Sequence, residues 1–260
     1  MSDKLTAPKI RAMREKGQRI VCLTAYDAAF GAMADQAGVD LVLVGDSVGN
    51  VMLGYPSTVP VTLDEMLHHT RATSRGVRRA LLIADLPFGT YQASVEQAVT
   101  SAVALMKAGA EGVKLEGAYA EQISAIERAG IPVMGHIGFT PQSVHRFGGH
   151  RVQGKKDGDA LIEEAKAIEA AGAFAIVVEL VPAELAKRVT EALTIPTIGI
   201  GAGVGCSGQV QVLHDALGLT TQNYRHAHAY VDGYRCMVGG IERYVQEVRD
   251  GDFPREENSF

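Results

Sequence analysis

The sequence has few cysteines: Cys22, Cys206 and Cys236 are the only three in 260 residues. An odd count without a CxxC pair excludes a disulfide framework and predicts a reducing, cytoplasmic setting. No uninterrupted apolar run reaches the ~18 residues that a membrane helix needs. The N-terminal stretch MSDKLTAPKIRAMREKGQRI lacks an apolar core and does not read as a signal peptide. Positive charge is also in short supply. The 25 Lys and Arg face 30 Asp and Glu, for a net charge of −5. That excludes the basic groove expected of a nucleic-acid binder. The 29 glycines and 9 prolines follow no G-X-Y period, so collagen is excluded. With 47% hydrophobic and 21% charged residues, long-range disorder is excluded too.

What is present is an architectural rhythm. Short apolar runs occur at 20–24, 40–44, 80–84, 112–115, 131–135, 174–178, 196–200 and about 210–217. Most are continuous in Val, Ile and Leu, as strands buried on both faces should be. Helical stretches lie between them. Thr62-Leu-Asp-Glu65 is a capping box opening a helix towards Arg75, and Ser94-Val-Glu-Gln97 opens another that runs to Lys107. Residues 118–129, 158–171 and 183–193 continue the pattern, and a last helix covers about 234–250. Gly109, Gly130 and Gly172 stand just past helix ends, where a left-handed cap favours glycine. Eight strand–helix units predict an α/β fold, a (β/α)8 TIM barrel. The 260 residues read as one such domain, with a short N-terminal helix and a C-terminal helical extension. An open doubly wound sheet would carry G-x-G-x-x-G after its first strand, and that strand ends instead in Thr24-Ala-Tyr-Asp27.

Barrel enzymes place their chemistry where the strands end at the C-terminal face. Here those ends carry Gly45-Asp46-Ser47, Asp85-Leu-Pro87, Lys114 with Glu116, His136, Glu179, Gly201-Ala-Gly203 and, on the eighth, His214-Asp215. Asp46, Asp85 and Glu116 would converge from neighbouring strands. Without a cation they repel, and one must hold a proton. Oxygen ligands alone select a hard ion, Mg2+ or Mn2+, and Mg2+ needs few protein ligands. The bland alternative is that each acid caps a helix or pairs with an arginine.

Lys114 lies two residues before Glu116 and so points to the same side of its strand. It would stabilise an oxyanion, form a Schiff base or serve as a structural ion pair. His136 precedes a loop start and reads as ligand-facing, the alternative being a satisfied core histidine. Glu179 follows four apolar residues; partly desolvated, it suits the role of general base, the alternative being a salt bridge that closes the strand. His68 and His69 read as exposed helix residues, Arg75, Arg78 and Arg79 as a solvated helix end, and His226 and His228 as surface. Gly201-Ala-Gly203 is a weak phosphate-loop signal.

These residues sit in ordered blocks. They include Leu23-Thr-Ala-Tyr-Asp27, Val44-Gly-Asp-Ser-Val-Gly49, Ser57-Thr-Val-Pro-Val-Thr62, Ala84-Asp-Leu-Pro-Phe88 and Val113-Lys-Leu-Glu-Gly117. Pro132-Val-Met-Gly-His-Ile-Gly138, Thr140-Pro-Gln142, Val152-Gln-Gly154, Glu179-Leu-Val-Pro182 and Ile198-Gly-Ile-Gly-Ala-Gly203 continue them. On these blocks, from about 20 to 218, the chain resembles the ketopantoate hydroxymethyltransferases, within the wider phosphoenolpyruvate/isocitrate lyase-like barrels. The resemblance implies an Mg2+-dependent transfer of a hydroxymethyl unit from 5,10-methylenetetrahydrofolate to 3-methyl-2-oxobutanoate, giving 2-dehydropantoate for pantothenate synthesis. It implies one Mg2+ per subunit, with Asp46 and Asp85 as direct ligands and Glu116 supporting the metal partly through water. It implies that Ser47, Asp85 and Lys114 meet the oxo acid, that His136 positions it and that Glu179 is the base. It also implies a homodecamer.

Two stretches depart from the family pattern. Ser207-Gly-Gln209 stands where Asp-Gly-Gln is expected, and residues 220–232 lack the usual basic and aromatic alternation. A metal-dependent C–C lyase or mutase of the same barrel would share the acids. It would also need a reactive cysteine on a loop after the fourth strand, and none stands there.

Overall fold

The structure is a computed structural model and describes residues 3–220, 222 and 224–260. It divides into two compact units, Met1–Val212 and Leu213–Phe260. The first holds eight strands: β1 (Ile20–Thr24), β2 (Leu41–Val44), β3 (Leu81–Asp85), β4 (Gly112–Lys114), β5 (Val133–Gly138), β6 (Ala175–Glu179), β7 (Thr197–Ile200) and β8 (Gly208–Gln211). All pair in parallel with their sequence neighbours, and β8 closes on β1. The expected closed eight-stranded barrel is what the chain forms.

The helices of this unit are α1 (Ala7–Glu15), α2 (Ala28–Gln36), α3 (Val48–Val51), α4 (Leu63–Ser74), α5 (Val95–Lys107), α6 (Ala120–Arg128), α7 (Val144–Phe147), α8 (Gly158–Ala170) and α9 (Ala183–Ala192). The capping box that opens α4 is complete, with Thr62 and Glu65 satisfying each other's backbone N–H groups. Ser94 caps α5 by accepting from Gln97 N–H at 3.1 Å. Gly109, Gly130 and Gly172 have positive φ, as their places after helix ends require.

Alternation along the strands builds two cores. Ile20, Cys22, Leu41, Leu43, Ile83 and Val177 point into the barrel, where Ile10 of α1 joins them. Their strand neighbours Val42, Leu82, Val113 and Ile176 face outward, onto Met66, Leu105, Ile126 and Ile168 of the helices. Continuing the inward set towards the C-terminal end brings Asp85, Lys114, His136 and Glu179 into the barrel mouth. Period-2 geometry therefore turns an apolar interior into a polar floor within one residue step.

The eighth strand differs from expectation. It is Gly208–Gln211, and Leu213–Ala216 forms a helical turn, α10, in the second unit. His214 and Asp215 therefore do not stand at a strand end. The physical reason is close approach: a Cβ on Gly208 would overlap the Ile20 carbonyl oxygen, so glycine lets β8 close on β1. The polar Ser207-Gly-Gln209 stretch gives this strand no hydrophobic signature. The second unit also holds α11 (Gly233–Asp250), capped by Asp232, and a one-turn 3-10 helix at Glu256–Asn258. Two residues of the divergent 220–232 stretch, 221 and 223, lie outside the described residues. Among the described residues no helix is long and apolar enough to cross a membrane.

Candidate active site

Strand register sets the polar layer. Asp85 pairs directly with Lys114 across β3 and β4. Lys114 Nζ lies 2.8 Å from Asp85 Oδ1, and both are buried. The Asp46 N–H, one turn beyond β2, donates to Asp85 Oδ2 at 3.0 Å. Ser47 shares a 2.8 Å hydrogen bond with the buried Tyr26 hydroxyl. His136, inward on β5, stands between two carboxylates: Nδ1 is 3.5 Å from Glu116 Oε1, and Nε2 is 3.4 Å from Glu179 Oε2.

The structure thus brings together Asp46, Asp85, Lys114, Glu116, His136 and Glu179, with Ser47 beside Asp46. None of the three clustered acids pairs with an arginine among the described residues; Asp85 pairs with Lys114, and Glu116 accepts from Gln142 N–H. Glu179 ends β6, and Leu180 behind it has φ of 47°, in the left-handed region. Such a conformation costs about 1–3 kcal/mol in a non-glycine residue and clusters at functional sites. It is held by Leu180 N–H donating to Ile200 O at 2.9 Å and by Gln153 N–H donating to Leu180 O at 2.9 Å. Gly138 packs so closely to the Glu179 carbonyl that a Cβ there would overlap it.

Charge balance decides the chemistry. Burial pushes the Asp46 carboxyl well above its usual range, and Asp85 and Glu116 push it further, against Lys114 and Gln142. Burial opposes the Lys114 charge, yet Asp85, Glu116 and Asp46 outweigh it and raise its pKa. His136 Nδ1 also lies 3.4 Å from Lys114 Nζ. Burial and that ammonium push the imidazole down, but Glu116 and Glu179 prevail and raise its pKa to about 9. Four carboxyl groups thus share a buried space with two cations, and burial together with their mutual repulsion drives Asp46 towards its neutral form. Asp85 Oδ1 is matched by the Lys114 ammonium, and Glu116 Oε1 has the His136 ring no nearer than 3.5 Å. Among the described residues, no three His, Cys, Asp or Glu side chains stand as a ready-made metal cage. Buried carboxyl groups that outnumber the cations beside them suit a divalent ion that keeps water or substrate in its remaining positions. Asp46, Asp85 and Glu116 are the residues that could hold it.

Sequence reasoning gave no role to Gln142 or Tyr91. The Gln142 side chain donates from Nε2 to Asp46 Oδ2 at 2.9 Å and to Leu86 O at 3.0 Å, and its backbone N–H donates to Glu116 Oε2 at 3.0 Å. Tyr91 donates to Gln142 Oε1 at 2.7 Å and accepts from Glu116 N–H at 3.2 Å. The only available signal was the polar Gln142 just past strand five. Two surface readings also need correction. His69 is half-buried and its Nδ1 lies 2.8 Å from Tyr26 O, which fixes the segment carrying Ser47's partner. Arg79 is no solvated helix end: it pairs with buried Asp40 at 3.1 Å.

A closed parallel barrel with buried acids, a lysine and a histidine at its C-terminal strand ends defines a (β/α)8-barrel enzyme. The ketopantoate hydroxymethyltransferase family model matches residues 4–256. A 3-methyl-2-oxobutanoate hydroxymethyltransferase of Chloroflexus aggregans is 56% identical over 262 residues, covering 98% of this chain and 93% of the relative. One of Syntrophus aciditrophicus is 51% identical, covering 99% of this chain and 97% of the relative. A solved phosphonopyruvate hydrolase complexed with oxalate and Mg2+ superposes with a TM-score of 0.64 at 15% identity, covering 98% of this chain and 93% of that one. That likeness shows the fold alone. The chain belongs to the ketopantoate hydroxymethyltransferase family, and its relatives at half identity favour transfer over lyase or mutase chemistry.

Proposed function

We propose that this site transfers a hydroxymethyl unit from 5,10-methylenetetrahydrofolate to 3-methyl-2-oxobutanoate, giving 2-dehydropantoate and tetrahydrofolate. The observation that carries this is the buried polar layer in which the carboxyl groups of Asp46, Asp85, Glu116 and Glu179 outnumber the cations Lys114 and His136. An Mg2+ held by Asp46 and Asp85, with Glu116 behind, would act as a Lewis acid on the oxo acid's keto and carboxylate oxygens and stabilise its enolate. The fold neighbour that binds oxalate with Mg2+ supports this, since oxalate presents the same pair of adjacent oxygens.

This chain's residues do the rest. Glu179 takes the proton from C3 of the oxo acid. Lys114, held protonated, offsets negative charge on the keto oxygen. His136 keeps Glu179 and Glu116 apart and oriented, and Ser47 donates to the substrate carboxylate. The donor's methylene carbon is bonded to two folate nitrogens. Water adds to it as one C–N bond breaks, and the second then breaks to release formaldehyde and tetrahydrofolate. C3 bonds to the formaldehyde carbon as the new alkoxide takes the proton that Glu179 holds. The crowded buried carboxyl groups and the strained Leu180 support a site built for ligands rather than for stability.

Two further readings belong to this proposal. The three cysteines are free, which suits a reducing cytoplasm. On α11, Tyr234, Met237, Ile241, Tyr244 and Val248 are all exposed and recur every three or four residues, which supports a homo-oligomer such as the decamer of the family. The test of function is direct. Purified protein with Mg2+, the oxo acid and methylenetetrahydrofolate should form 2-dehydropantoate, and no turnover with either substrate in excess would overturn the reading.

A further inference from the structure

A second feature adjoins the acid layer. The connection from β5 to α8 spans residues 139–157, whereas strand-to-helix connections in such folds usually take about 2–6 residues. Long loops in compact domains are usually functional. This one, together with the segment after β4, walls a cavity of about 840 Å3. That is the size of a site for an extended ligand, more than a five-carbon acid requires.

The lining is mixed in character. Glu116, a member of the acid layer, stands at one place in it, and Gly138 and Thr140 at the end of β5 adjoin it. Tyr119 and Phe147 supply aromatic surface. Arg146, Arg151, Lys155 and Lys156 line it as well. Four cations around one cavity stand out in a chain of net charge −5. None of the four has an acid within ion-pair distance among the described residues. Two acids also line the wall. Asp157 is occupied in capping α8, where it accepts from Ala160 N–H at 3.2 Å. Glu164 interacts electrostatically with Arg146. Arg151, Lys155 and Lys156 remain without a counter-charge.

The same loop is tied to the base. Phe139 N–H donates to Glu179 O at 2.8 Å, and Gln153 N–H donates to Leu180 O. A ligand seated in the cavity therefore touches the loop that holds Glu179's strand end.

We propose that this cavity docks the one-carbon donor, with its aromatic body against Tyr119 and Phe147 and its glutamate carboxylates on Arg151, Lys155 and Lys156. The inference rests on the transferase reading above and adds where the donor binds and what reads its tail. Flat aromatic surface beside uncompensated cations recognises an elongated aromatic carboxylate, and the reacting carbon would then lie at the Glu116 side of the cavity.

The experiment compares wild type with an Arg151→Gln/Lys155→Gln/Lys156→Gln variant. Three exposed positions leave the fold intact, which thermal melting checks. The expected result is a rise of about tenfold in KM for 5,10-methylenetetrahydrofolate, with KM for the oxo acid moving less than about twofold. A second measurement needs no variant. The tetrahydropteroate donor, which lacks the glutamate, should show a similar rise on wild type. On the variant the two donors should become equivalent. An unchanged donor KM, or a rise in both substrates' KM together, would overturn the inference while leaving the transferase reading intact. A wild-type protein that makes no product at all overturns that reading, and the inference with it.

Discussion

The side-chain amide of Gln142 donates to Asp46 Oδ2 at 2.9 Å although the two residues lie 96 positions apart. The same residue's backbone N–H holds Glu116 Oε2. Gln142 thus sets the spacing between two of the acids proposed to hold the metal. Residues that orient metal ligands typically contribute 10–100-fold to metal affinity. Gln142→Leu should weaken Mg2+ or Mn2+ binding by about that factor, read by calorimetric titration. An affinity within twofold of wild type would show that the acids hold their places unaided.

Much of this layer was legible in the sequence because strand ends and period-2 alternation are local properties. Asp85, His136 and Glu179 each follow an apolar run and Lys114 lies within one, and position along the run fixes which side they face. Gln142 was not legible as a partner, because its contact to Asp46 crosses the barrel mouth and leaves no spacing along the chain. Tyr91 was missed for the same reason. The eighth strand was misplaced because Gly208 and Gln209 carry no apolar signature; the closure of β8 on β1 selects them through close backbone approach. His69 and Arg79 read as surface because helical periodicity gives the face a residue occupies but not the backbone carbonyl or buried acid that meets it there.

Glu179 ends β6 with its carboxylate 3.4 Å from His136 Nε2 and its side chain mostly buried. A general base contributes about 10²–10⁴-fold to proton transfer. Glu179→Gln should lose deuterium exchange at C3 of the oxo acid by about that range while metal affinity persists. NMR of the oxo acid in deuterated buffer reads this without the donor. Exchange at the wild-type rate would remove Glu179 from the role.

Lys114 separates enolate chemistry from imine chemistry. An imine requires a neutral amine, and Asp85 at 2.8 Å with Glu116 and Asp46 nearby keeps the ammonium charged despite its burial. Borohydride added with the oxo acid should therefore leave Lys114 unmodified by mass spectrometry. A reduced adduct on Lys114 would replace the enolate reading with a Schiff-base one.

Glu169 ties α8 to the start of β7 and should make stability depend on acid. Its Oε1 accepts from Thr194 N–H and Oγ1 at 2.7 Å and from Ile195 N–H at 3.0 Å. Burial pushes its carboxyl up, but these donors and Arg14 outweigh burial and lower the pKa. A lowered folded pKa contributes stability that is present above the ordinary value of 4.5 and lost as pH falls through the folded value. The group is largely solvent-screened, so Glu169→Gln should cost only a few tenths to about 1 kcal/mol at neutral pH. Urea midpoints for variant and wild type should converge as pH drops below the folded pKa. A gap that stays constant across the acid range would mean that the charge contributes nothing.

The exposed stripe on α11 asks for a partner. Ile241 is 63% exposed at its centre, with Met237 and Tyr244 on the same face. Burying such a side chain stabilises by about 1.5–3 kcal/mol, and an unpaired charge at the same place costs more than that gain. Ile241→Glu should therefore lower the assembled mass in sedimentation velocity while far-ultraviolet circular dichroism stays that of a folded barrel. A variant that sediments with wild type would show that the assembly uses another face, and a wild type that sediments as a monomer would remove the oligomer.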